Sequence, residues 1–283
     1  MTATIWHAIS APWSEPILRR AFAEVALLGI AGGALGCWVL FYNLAYSAES
    51  LAHGLLPGLV LASLAGLPLL LGGAAGILVA AVAVAAAGRI PAIGRDTAVG
   101  VVVTTLFGLG VLLALSPQTP AGLQGLLFGD PLGISDIDLV LAAGLVAVVL
   151  TALGLAHGRL LVVGFDRTAA RGLGVAPGRV DLALLCLLAL ALLVAVQGLG
   201  NLLVVAMVVA PAAAARHLTR RMPEMLMASA GLAMLAGWAG IYLSYYARTA
   251  AGASIAGMLV LTVALASATG MRRRRVEVEA STS

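Results

Sequence analysis

The chain has 283 residues, 62% of them apolar and only 10% charged, with a formal net charge of +4 and a mean hydropathy of +1.09. That composition excludes a soluble globular domain. All 16 basic residues are arginine, which also excludes a P-loop and a lysine-based enzyme.

Residues 1–16 are mixed, with Trp6 and Trp13 placed as interface anchors. A bilayer core of about 30 Å takes roughly 20 apolar residues per helix. On that measure a first span is predicted over residues 22–41. It follows Arg19 and Arg20, and its length and the spans after it make it a retained helix rather than a cleaved signal. Gly29, Gly32, Gly33 and Gly36 give it small-xxx-small pairs, which let helix backbones approach closely. Further spans are expected over 51–71, 73–88 and 97–115. A turn-rich stretch, 116–138, follows and contains Leu127-Phe128-Gly129-Asp130-Pro131. A fifth span covers 139–156, and the longest polar connection, 159–181, comes next.

Residues 182–215 carry no charge, yet as one helix they would run roughly 50 Å, too far for a single crossing. Gln197, Gly198, Gly200 and Asn201 mark the break between a sixth and a seventh span. The eighth and ninth are expected over 225–246 and 253–269. The fold class is therefore all-α: a polytopic helical bundle of eight or nine transmembrane helices in one domain. Its membrane part covers about residues 17–271, and a polar tail covers 272–283. Cys37 and Cys186 lie in apolar spans and read as small buried hydrophobes. The arginines at 89–95, 159–179, 216–221 and 272–275 fall on one face, which the positive-inside rule makes cytoplasmic. Asp130, Asp136 and Asp138 then face outward, and Arg19 and Arg20 are misfits on that same outer face.

Ionisable groups within apolar spans are costly, so each is a functional candidate. Glu49 and His53 stand four residues apart, on one helix face. A carboxylate and an imidazole so placed can share a divalent cation, or can simply form a polar helix start at the headgroups. Asp96 reads as a helix cap. Gln197 and Asn201 border a helix break of the kind found beside transport paths. Between spans five and six, Asp166 can cap a short amphipathic helix. Its apolar face would be Ala169, Ala170 and Leu173, and its polar face Arg167 and Arg171. Such a helix either docks a soluble partner or lies on the headgroups.

Three segments together resemble the membrane permease subunit of bacterial ABC-type zinc and manganese uptake systems, the ABC-3 family. They are Glu49-Ser-Leu-Ala-His53-Gly-Leu-Leu-Pro57-Gly58, the stretch 165–175, and the run from Gly200 through Pro211 to Arg216. The likeness covers residues 20–270. Glu49 stands where the family usually carries aspartate, and the acid and prolines common near 248–254 are missing.

The resemblance implies a homodimeric pore in the bacterial plasma membrane, moving Zn²⁺ or Mn²⁺ past Glu49 and His53. It implies a cytoplasmic ATP-binding subunit touching Phe165, Asp166, Arg167, Ala169, Ala170, Arg171, Gly172, Gly174 and Val175. It also implies an extracytoplasmic metal-binding protein. No permanently bound cofactor and no nucleic acid are expected, and ATP hydrolysis would belong to the partner. Asp96, Gln197 and Asn201 are pathway or gate candidates; Pro57, Gly58, Gly200, Pro211 and Arg216 are structural. The competing readings are a secondary transporter or channel without an ATPase, and a permease for metal chelates or vitamins. The chain lacks His-Glu-x-x-His and Gly-x-Ser-x-Gly, which argues against an intramembrane enzyme.

Overall fold

A computed structural model describes residues 10–87, 95–116 and 133–282, and every regular element among them is an α-helix. In chain order these are α1 (Pro16–Phe41), α2 (Ala45–Leu64), α3 (Leu69–Ala87), α4 (Arg95–Ala114), α5 (Asp136–Phe165), α6 (Arg167–Gly172), α7 (Pro177–Leu218), α8 (Met222–Ala247) and α9 (Ala251–Thr282). Within α7, Gly200 has φ 74° and ψ 159°, so the run is two helices joined at a break. A positive φ is a conformation that glycine adopts without steric cost. The charge-free stretch 182–215 therefore divides at the predicted place.

Among the described residues, five helices are long and apolar enough to cross a bilayer: Pro16–Phe41, Asp136–Phe165, Pro177–Val196, Met222–Ala247 and Ala251–Gly270. Leu69–Val84, Val99–Ala114 and Leu203–Leu218 are shorter apolar helices. With α2, whose Ser47, Glu49, Ser50 and His53 dilute its hydropathy, they account for the nine expected spans among the described residues.

Boundaries differ from expectation where apolar sequence hides a turn. The second and third helices part at residues 65–68, not near 72. Gly66 takes φ 68° there, and Gly66 N–H and Leu67 N–H donate to the Ser63 and Ala62 carbonyls. The fifth helix runs on to Phe165, through Arg159. The last helix continues through the arginine run to Thr282, where a polar tail was expected. Nothing after Gly270 is a proline or glycine, so no residue stops it.

The chain divides into two compact units. The first comprises Met1–Leu40, Pro131–Leu150 and Ala206–Ser283; the second comprises Phe41–Asp130 and Thr151–Val205.

In the first unit α1 lies along α8. Trp13 stacks on Phe22 at 4.5 Å, and Trp238 meets Trp13 edge-on at 5.6 Å. Trp13 Nε1 donates to Tyr242 Oη at 2.8 Å, Trp238 Nε1 to the Phe22 carbonyl at 3.0 Å, and Ser229 Oγ to the Gly33 carbonyl at 2.7 Å. A Cβ on Gly33 would lie 2.8 Å from the Ser229 carbonyl oxygen, so this approach requires glycine. Arg20 pairs with Asp136 at 2.8 Å.

In the second unit α2 packs on α3 and α4. A Cβ on Gly58 would overlap the Gly72 carbonyl oxygen, and one on Gly76 would overlap the Gly54 carbonyl oxygen. The two helices thus meet backbone to backbone. Leu56 and Val60 of α2 and Ala114 of α4 form a fully buried cluster, flanked by Val111 and Leu113. Cys37 is buried as expected, but Cys186 is exposed, on a helix where large apolar side chains such as Leu182 and Leu190 are also exposed. An apolar span does not have an inside in bilayer terms, so apolar character could not predict that cysteine's burial.

Candidate metal-transit site and coupling segment

The chain leaves α1 through a turn at Tyr42 and Asn43, the latter at φ 56°, and enters α2 at Ala45. Non-helical backbone is confined to this turn, so Glu49 and His53 sit on regular helix, one and two turns in. Glu49 Oε1 and His53 Nε2 are 3.8 Å apart. Two metal–donor bonds of about 2.1 Å each can span that gap, so one cation can touch both atoms. The His53 side chain is 11% exposed and that of Glu49 47%. His53 is backed by Phe107 of α4, edge to face at 4.8 Å. The site therefore has a buried, oriented imidazole and a more open carboxylate.

Pro57 and Gly58 hold this helix in place. Pro57 has no N–H to offer the carbonyl four residues back, which is that of His53. A Cβ on Gly110 of α4 would lie 3.0 Å from the Pro57 ring. Among the described residues, no group of three or more His, Cys, Asp or Glu side chains gathers to hold a metal. Glu49 and His53 alone would offer a cation two donors from one chain.

The candidate coupling segment is capped at Asp166 as predicted. Asp166 caps α6 and accepts from Thr168 N at 2.7 Å and Ala169 N at 3.0 Å. These bonds, that from Ala169 first, hold its carboxyl below the usual aspartate range. At the other end Val175 N donates to the Ala170 carbonyl and Gly174 N to that of Arg171, with Gly174 at φ 75°. This is a Schellman closure, and it explains the glycine. Arg167 grips Asp181 with two bonds of 2.9 and 3.0 Å. The expected apolar face does not hold together: Ala170 is fully buried, while Ala169 and Leu173 are exposed. Six residues make under two turns, too short to keep one face inward. Phe165 and Leu173 stand 79% and 70% exposed.

The remaining candidates divide. Asp96 lies in the first turn of α4, which starts at Arg95, and so is not the N-cap. Gln197 and Asn201 flank the Gly200 break. The structure describes these three by backbone alone. Pro211 lies inside α7, and Arg216 is exposed in its last turn. A Cβ on Gly36 of α1 would overlap the Val208 carbonyl oxygen, so α1 needs glycine where it meets the run before Pro211. The segment Leu127-Phe128-Gly129-Asp130-Pro131 and Arg89 lie outside the described residues.

One buried carboxylate was not singled out from sequence. Glu24 of α1 is 2% exposed, and its Oε2 has no hydrogen-bond partner among the described residues. The signal was present, since it is an acid two residues into the predicted span 22–41.

This is a many-spanning helical chain with a carboxylate–imidazole pair on one helix and a capped turn between two long helices. Residues 14–270 match the profile of the ABC 3 transport family. The chain belongs to that family. It is 32% identical over 243 residues to the manganese transport system membrane protein MntC of Halalkalibacterium halodurans, covering 86% of this chain and 83% of the relative. It is 30% identical to a probable iron transport system membrane protein of Haemophilus influenzae, covering 86% of this chain and 90% of that one. Its fold matches a chain of PsaBC from Streptococcus pneumoniae in complex with Fab, with a TM-score of 0.85 and 27% identity over 93% of this chain and 95% of that chain. The protein is a multi-pass component of the bacterial plasma membrane.

Proposed function

We propose that the chain is the pore subunit of an ATP-driven importer of divalent metal, with manganese the first cargo to test and zinc or iron the competitors. The observation that carries this is the 3.8 Å approach of Glu49 Oε1 to His53 Nε2 in a family whose relative from Halalkalibacterium halodurans is named for manganese. Imidazole and carboxylate suit first-row divalent ions and are not soft enough to select copper(I). Two donors from one chain leave a cation mostly hydrated. A homodimer would supply four, which is tight enough to strip water and loose enough to release.

The free energy comes from a separate ATP-binding subunit. Exposed Phe165 and Leu173, on either side of the capped α6, offer it an apolar grip. Movement of α6 reaches the membrane through α5 and through the Arg167–Asp181 fork to α7. An extracytoplasmic metal-binding protein delivers the ion. The decisive measurement is manganese uptake by cells relying on this transporter, with Glu49→Ala or His53→Ala in place. Each change is expected to cost at least about tenfold, the low end of what even outer partners of metal ligands cost. Undiminished uptake with either variant present at normal level would overturn the site.

A further inference from the structure

Between the C-terminal part of α5 and the N-terminal part of α7, within the second unit, lies a cavity of about 260 Å³. Its depth is apolar, lined by residues such as Leu153, Ala156, Leu184 and Leu187, and two arginines, Arg159 and Arg179, also line it. Both arginines are exposed, and neither guanidinium group has an ion-pair or hydrogen-bond partner among the described residues. Their neighbour Arg167, by contrast, is held by Asp181. The cavity is smaller than the roughly 300–1,000 Å³ that encloses a whole small molecule, so it suits part of one. Along α5 its lining runs from Ala152 to Leu160, a rise of roughly 12 Å. Arg159 stands six residues before the end of α5. That is about 9 Å along the axis, within reach of the headgroup layer for a long side chain. Arginine bias assigns this end to the cytoplasmic leaflet.

We propose that this cleft is a site for one anionic phospholipid, with an acyl chain along Leu153, Ala156 and Leu184 and the phosphate gripped by Arg159 and Arg179. Charge complementarity chooses the occupant. Two unpaired guanidinium groups at one apolar slot fit a net negative headgroup, whereas a peptide helix would need acids at a matching spacing and more room. The exposed apolar residues Phe165 and Leu173 leave a different surface for a soluble partner.

Native mass spectrometry of the purified full chain tests this, with equimolar phosphatidylglycerol and phosphatidylcholine of identical acyl chains. Wild type is expected to retain phosphatidylglycerol roughly thirtyfold better, the effect of two arginines acting together near a headgroup. Arg159→Gln with Arg179→Gln should reduce that to parity, and both are surface changes that leave the fold intact. Ala156→Leu should lower retention of both lipids. sn-Glycerol 3-phosphate, which has the charge and no chain, should not displace the lipid. Equal retention of the two lipids by wild type, unchanged preference in the double variant, or displacement by glycerol phosphate would each overturn the proposal. So would loss of the lipid once the ATP-binding subunit is bound.

Discussion

In the first unit side chains join the helices. Trp13, Phe22, Trp238 and Tyr242 interleave across α1 and α8, and Ser229 reaches the Gly33 carbonyl. In the second unit α2 meets α3 chiefly backbone to backbone, through Gly54, Gly58, Gly72 and Gly76, with Leu55 and Leu59 beside them; the first unit has such approaches too, at Gly33 and Gly36, but adds the side-chain clasps. Only the second unit carries the Glu49–His53 pair and the capped α6. Aromatic and hydroxyl clasps join α1 to α8 in one unit, and close backbone contact joins α2 to α3 in the other. Hydrophobic burial cannot distinguish the two designs, since lipid is as apolar as leucine.

The largest test of that contrast is Gly58→Val. Its side chain would meet the Gly72 carbonyl and the Gly76 Cα. Overpacking of this kind costs about 1–3 kcal/mol, and it would also displace His53 one turn away. Uptake should vanish while some folded protein survives size-exclusion chromatography. Retained uptake would mean that the seam is not what positions the site. Asp166→Ala comes next. Losing the cap of α6 should reduce metal-stimulated ATP hydrolysis of the assembled transporter severalfold, with little change in melting temperature. Asp166→Asn, which also caps, should restore it. The sign of the pH effect follows from a carboxyl held below its usual range. The ionised cap contributes fully above the ordinary aspartate pKa and is lost only as pH falls through the lower folded value. Uptake by wild type should therefore show no dependence on this group from neutral to mildly acidic pH.

Two changes in the first unit should alter stability and leave uptake alone. Glu24→Met removes a buried acid with an unsatisfied oxygen, a group that costs about 1–3 kcal/mol. The variant should melt at a higher temperature. A lower melting point would reveal a partner for that carboxylate. Smallest is Ser229→Ala, which removes one interhelical bond worth about 0.6 kcal/mol and should lower the melting temperature slightly, with transport per folded molecule unchanged. Loss of transport in either would erase the division between the two units.

Much of the fold was legible because a bilayer imposes a length. Nine apolar stretches, the break at Gly200 and the cap at Asp166 all follow from elementary limits on helices. The turn at 65–68 was not legible, since leucines continue through it and only Gly66 and Pro68 mark it. Periodicity also failed for Ala169 and Leu173, because a helix of six residues has no face long enough to bury. The Glu49 and His53 pair was visible from spacing, but Phe107, which orients His53 from another helix, was not. Side chains that meet across helices leave no mark on either helix alone. Arg20 and Asp136 illustrate this: their ion pair is visible only in the structure.

The glycine seam of α2 and α3 has one more consequence. Glycine and alanine lose no rotamer freedom when they are covered, so at its glycine and alanine contacts closing that joint freezes nothing beyond the backbone already fixed in each helix. Parting those contacts releases no side-chain entropy, and remaking them demands none. A joint of that kind can cycle many times without a thermal penalty for the next closure, as a carrier that must hand over one ion and reset for another requires.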